Sequence, residues 1–163
     1  MKTSPIFPLP NDKEYLMRLA TALYGVAYTE WAVLGFLPSL LEKGLLPITR
    51  DEAGKIYGMT THNIAEKLKK LSKQTNDVQV SKWLSVASDN LSSLVDERND
   101  IIHSRPCTDE NKNDQSLYRY CVKDDKVKSF MIDNEYLDKF IGKINTALRE
   151  ISSIDGAIRQ KTV

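Results

Sequence analysis

Cysteine is scarce in this chain: of 163 residues only Cys107 and Cys121 carry thiols. They sit at no metal-ligating spacing and are too few for a disulfide framework, so two unpaired thiols are expected. Long apolar runs are missing as well. The longest charge-free stretches, Leu19 to Thr29 and Trp31 to Leu41, are separated by Glu30. Each is well short of the roughly 20 residues that span a bilayer, which excludes a membrane-spanning helix. Nor is there an excess of one charge: 23 basic against 22 acidic side chains leave a formal +1. With no global pull toward nucleic acid, any such binding needs a local patch or a dimer groove. The N-terminus is broken by Pro5, Pro8 and Pro10 and lacks the apolar segment of a secretory signal, so a cytoplasmic protein is expected. There is no internal repeat and no low-complexity tract.

What is present is 41% apolar and 28% charged residues, enough for one ordinary core and too short for two. A flexible segment over residues 1–10 is expected to lead into a single domain over 11–163. Asn11 or Asp12 caps a long helix whose stripe runs through Leu16, Leu19, Leu23, Val26, Ala27, Trp31 and Leu34, until Pro38 stops it near Phe36 or Leu37. Gly44 and Pro47 complete the break. Thr49 and Glu52 form a capping box for a short helix that ends at Gly58. Thr60 or Thr61 then caps a helix with Ile64, Leu68 and Leu71 facing inward and Lys67, Lys69, Lys70 and Lys73 on its solvated side. From Asp77 a stripe runs through Val80, Trp83, Leu84, Ala87, Leu91, Leu94 and Val95.

After Arg105-Pro106 the polar residues from Cys107 to Gln115 are expected to form a loop. Ser116–Val122 and Lys126–Ile132 are rich in aromatic and β-branched residues and flank Lys123-Asp124-Asp125, which predicts a two-stranded hairpin. Asp133 or Asn134 caps a last helix with an unbroken stripe from Leu137 to Ile158. The expected fold class is all-α: an antiparallel four-helix-type bundle with a small β-hairpin inserted before the last helix.

The chemistry concentrates where the fourth of these helices ends. Arg98 lies seven residues after Leu91 and four after Leu94, so it leaves the helix on the core-facing side. A guanidinium there needs a carboxylate, backbone carbonyls or a cleft that admits an anion. His103 follows, with an unperturbed pKa near 6.5, so the pair combines a permanent cation with a group that titrates near neutrality.

The run Arg98-Asn99-Asp100-Ile101-Ile102-His103 resembles the signature of the HEPN superfamily (higher eukaryotes and prokaryotes nucleotide-binding), an all-helical bundle. That signature is an arginine, usually followed by a polar residue, and a histidine after four to six intervening positions. The resemblance in architecture extends from about Asp12 to Arg159, and its diagnostic motif covers six residues. It implies a metal-independent endoribonuclease needing no cofactor, in a toxin–antitoxin, phage-defence or RNA-processing setting. It also implies a homodimer whose copies combine Arg98 and His103 in one cleft, and a possible antitoxin or defence-system partner.

On that resemblance, His103 moves a proton to or from a ribose oxygen, Arg98 holds the scissile phosphate, and Asn99 orients either by hydrogen bonding. The product is a 2′,3′-cyclic phosphate. Arg105 and Arg119 are candidates for the RNA backbone, and Tyr118 and Tyr120 for base stacking. In members neutralised by a nucleotidyltransferase antitoxin a tyrosine stands two residues after the histidine. Arg105 occupies that place, which puts such modification in doubt.

Structural roles stay open for each residue. Arg98 can pair with Glu97, Asp100 or a carboxylate elsewhere, and His103 can serve the helix C-terminal dipole. Arg105, Arg119 and His62 can be solvated, and the two tyrosines can pack within the hairpin. Two other functions stay open: a catalytically inactive dimerising or nucleotide-binding module, and a DNA-binding helix-turn-helix over Arg50 to Leu71. The latter would present Thr61, His62, Lys67 and Lys70 to DNA, although Gly54 weakens its first helix.

Overall fold

The computed structural model describes residues 7–123 and 125–160, so residues 1–6 of the expected flexible segment and Asp124 of the expected turn lie outside the described residues. Helix α1 (Lys13–Leu34) starts where Asp12 accepts the Glu14 and Tyr15 N–H groups, and it stops at Gly35. The short α2 (Leu37–Glu42) carries Pro38 in its first turn, where the missing N–H costs nothing. Helix α3 (Arg50–Ile56) opens with the Thr49–Glu52 capping box. Thr60 caps α4 (Thr61–Gln74) and Asp77 caps α5 (Val78–Ile102). Tyr57 Oη donates to the Leu34 carbonyl at 2.8 Å, satisfying an acceptor at the open end of α1.

The all-α expectation is corrected by the next segment. Strand β1 (Arg105–Asp109) pairs antiparallel with β2 (Asp114–Lys123), which pairs with β3 (Lys126–Ile132), giving a three-stranded sheet in the order β1-β2-β3. The polar run from Cys107 to Gln115 is therefore half turn and half strand rather than a loop. The turn is made by the Asp109 carboxylate, which accepts the Asn111 N–H at 3.0 Å, and by Asn113 in the left-handed region at φ 49°. Pro106 sits in β1, an edge strand, the place in a sheet where proline is tolerated. Helix α6 (Asn134–Gln160) follows, with Asp133 accepting the Tyr136 N–H at 2.8 Å.

The bundle is also not uniformly antiparallel. Asp12 meets Asn134, Arg18 meets Asp138 and Gly25 meets Ile144, so α1 and α6 run side by side in the same direction. Glu97 meets Lys143 and Asn90 meets Glu150, which sets α5 antiparallel to α6. The Gly25 position lets the two parallel helices close: a Cβ there would stand 3.1 Å from Ile144 Cγ2.

Two apolar clusters result. One gathers α2 to α5 and the end of α6 around the fully buried Trp83, whose ring meets Phe36 edge-on at 5.0 Å. The other joins α1, the end of α5, the start of α6 and the sheet through Tyr15, Leu94, Ile101, Ile132 and Phe140. The expected stripe of α1 is corrected at its end: Trp31 and Ala27 face outward, while Ala22, Val26, Thr29 and Val33 are buried. Among the described residues no helix is long and apolar enough to cross a membrane.

Candidate functional site

Helix α5 loses its α4 neighbour before it ends, and the sheet folds back against its last turn. Successive residues are about 100° apart around a helix, so His103 lies about 40° from Asn99 and 60° from Asp100, but about 140° from Arg98. The first three accordingly share a cleft of about 480 Å³ with Asp96, Arg119, Cys121, Lys126 and Lys128. Arg98 stands outside that lining. Its guanidinium donates to Asn99 Oδ1 at 3.1 Å, so Asn99 links the arginine on one side of α5 to the cleft on the other.

Asp100 organises the cleft wall. It is 5% exposed, and its carboxylate receives Arg119 Nε at 3.1 Å, Lys128 Nζ at 2.5 Å and Tyr136 Oη at 3.1 Å. Burial, and next the neighbouring Asp100 charge, push the Tyr136 phenol well above its ordinary value, so it remains a hydrogen-bond donor at any physiological pH. Arg119 also donates from Nη1 to the His103 carbonyl at 3.3 Å, fixing the backbone that carries the imidazole. Phe130 stacks against Tyr136 at 5.4 Å and lies under the Lys128 ammonium at 5.2 Å, which holds that lysine at the cleft.

Alternation along the strands decides which sheet residues reach the cleft. Arg119 and Cys121 on β2 lie opposite Phe130 and Lys128 on β3, and this face turns toward α5. Arg105, Tyr118 and Tyr120 are on the other face, with Arg105 opposite Tyr118 and the Tyr118 hydroxyl against Ser129. Arg105 and Arg119, named together from the sequence, are thus separated by the thickness of the sheet.

The exposed imidazole of His103 has no hydrogen-bond partner among the described residues, and His103 is the C-cap of α5 at φ −97°. Arg98 has no carboxylate partner there either. Glu97 is taken by Lys143 at 2.7 Å, and Asp100 by the sheet cations. The structural ion pair considered for Arg98 is therefore not formed among the described residues. Asp100, Lys126, Lys128 and Tyr136 were missed as site residues. Asp100 lay inside the motif, and its spacing of three from His103 was the available signal; its partners lie 19 to 36 residues further on.

The helix-turn-helix alternative loses one of its contacts. Thr61 is buried and its hydroxyl donates to Glu30, while Ile64, Ala65, Leu68 and Leu71 are buried in the main core. His62 and Lys70 are exposed. Comparison of the chain with known protein families, curated proteins and solved structures finds no match.

Proposed function

We propose that the protein is a metal-independent endoribonuclease that cleaves RNA to a 2′,3′-cyclic phosphate at the cleft between α5 and the sheet. The observation that carries this is the meeting of an exposed imidazole, unpartnered among the described residues, with three cations, Arg119, Lys126 and Lys128, in one solvent-reachable cleft. Against them stand Asp96 and Asp100, so the wall is net positive before Arg98 is counted.

His103 takes the proton from a ribose 2′-hydroxyl as that oxygen attacks phosphorus, or gives one to the departing 5′-oxygen. Lys128 and Arg119 hold the phosphate and stabilise its developing charge, and Arg98 of the second copy joins them on the same anion. The protein acts as a homodimer on RNA, in a defence, toxin–antitoxin or RNA-processing setting. A second function, binding a phosphate-bearing ligand without cleaving it, is favoured by one observation: Arg98 lies outside the cleft that holds His103.

Incubation of the full chain with a mixed RNA pool in EDTA separates the two. Wild type is expected to cut and leave cyclic phosphate ends. His103→Ala is expected to cut about 10²–10⁴-fold more slowly, the usual worth of a general acid or base. Its melting temperature should not change, because the side chain is exposed. Equal RNA binding with no cleavage by wild type would leave only the anion site.

A further inference from the structure

A surface helix ordinarily turns its charges to solvent, yet beyond the exposed Lys13 and Glu14 of its first turn the outer face of α1 is neutral and aromatic. Met17, Tyr24 and Trp31, spaced seven apart, are 68%, 71% and 66% exposed, with Tyr28 beside them at 45%. The single charge between Leu19 and Leu41 is Glu30, and it is turned inward to Thr61. At 1.5 Å per residue this stripe extends about 21 Å.

Its rings are already packed in a ridge, with Tyr24 and Tyr28 6.2 Å apart and Tyr28 and Trp31 5.6 Å apart. Beside the ridge runs a groove of about 230 Å³, with Tyr24 and Tyr28 of the ridge as one wall and Gly25, Ile141, Ile144 and Leu148 closing it where α1 meets α6.

We propose that this face pairs two copies of the chain about a two-fold axis, the aromatic ridge of each seated in the α1–α6 groove of the other. Ridge and groove side by side on one surface are what a self-complementary, isologous contact needs. The missing charge argues against nucleic acid or an acidic or basic partner, both of which select for ion pairs. The area is of the right order. With aromatic side chains offering roughly 150–250 Å² each, the three rings expose about 700 Å² over two copies, more than half the roughly 1,200 Å² of the smaller specific interfaces. Met17 and the walls of the groove add to that. This locates the pairing assumed in the cleavage proposal, but it is measured without RNA and survives if that proposal fails.

The test is the mass of the full chain in solution, by sedimentation or light scattering at about 100 μM, a concentration that populates even a micromolar dimer. Wild type is expected at twice 18.5 kDa. Trp31→Glu should weaken pairing by roughly 30-fold or more, as for a central aromatic anchor, with an unchanged circular dichroism spectrum. A second readout uses the two tryptophans, since Trp83 is fully buried and Trp31 is not. Acrylamide quenching of wild type should rise on dilution, and in Trp31→Phe it should stay at the low Trp83 level throughout. A wild-type monomer, or a dimer indifferent to Trp31→Glu, overturns the proposal. So does a monomer that floats with phosphatidylcholine vesicles, which would assign the face to lipid.

Discussion

A carboxylate buried among three donors is held by all of them, and at Asp100 those donors come from three different elements. Arg119 is on β2, Lys128 on β3 and Tyr136 on α6, so one side chain pins the sheet to both long helices. Asp100→Asn keeps the shape and removes the charge, leaving Arg119, whose side chain is 16% exposed, without its acid. Breaking a buried pair costs about 3–5 kcal/mol. Lys128 is half exposed and contributes little, so a loss of about 2–3 kcal/mol in urea unfolding is expected. Lys128→Ala should cost well under about 1 kcal/mol, while slowing RNA cleavage through its loss at the phosphate. A variant pair with equal stability losses would show that Asp100 does not organise the wall. At this scale Arg98 stood out in the sequence because a core-facing guanidinium is costly wherever it sits. The partners of Asp100 did not, because nothing in a local window tells that an aspartate will be met from strands 19 and 28 residues away.

Elements were legible where their ends carry local chemistry. Asp12, Thr49, Thr60 and Asp77 each cap the helix that their position announces, since an N-cap is made by residues two or three apart. Strand β1 was hidden because five residues of mixed polarity give no period, and only its pairing with β2 makes it a strand. The start of β2 is tied to α1 by Asp114, whose carboxylate accepts the Asn11 and Asp12 N–H groups at 2.8 and 3.0 Å. The Asn11 backbone N–H is the main cause holding Asp114 below its ordinary value, and the Tyr15 N–H does the same for Asp12. Carboxylates depressed in the folded state stabilise it fully above their unfolded value near 3.9, and that support is lost as pH falls through the lower folded values. Melting temperature is therefore expected to be flat above about pH 5 and to fall below about pH 4. Asp114→Asn should show a lower plateau and a shallower acid decline. An unchanged acid limb in that variant would mean the tether is not what acid releases.

The whole molecule is two apolar clusters strung on α5 and α6, and both follow from the 3.6-residue pattern except where the sheet enters the second through Ile132. Periodicity says which face of a helix is apolar, not whether a second copy covers it. The α1 stripe reads the same whether Trp31 is buried in its own chain or left outside, as it is. The same ambiguity governs the site. Arg98 and His103 are about 140° apart around α5, so a single chain does not bring them onto one phosphate, whereas two chains related by a two-fold axis can. Mixing Arg98→Ala with His103→Ala protomers tests this directly. Each mixed dimer then holds one site with both groups intact and one with neither. Random exchange should restore roughly a quarter of wild-type cleavage from two inactive parents. Without restoration, the phosphate is held by Arg119 and Lys128 of the same copy as the imidazole, and Arg98 acts only through Asn99. Combining the mixture with Trp31→Glu in both chains then places the outcome on the interface: restoration that disappears with the aromatic ridge requires the α1 pairing for the shared cleft.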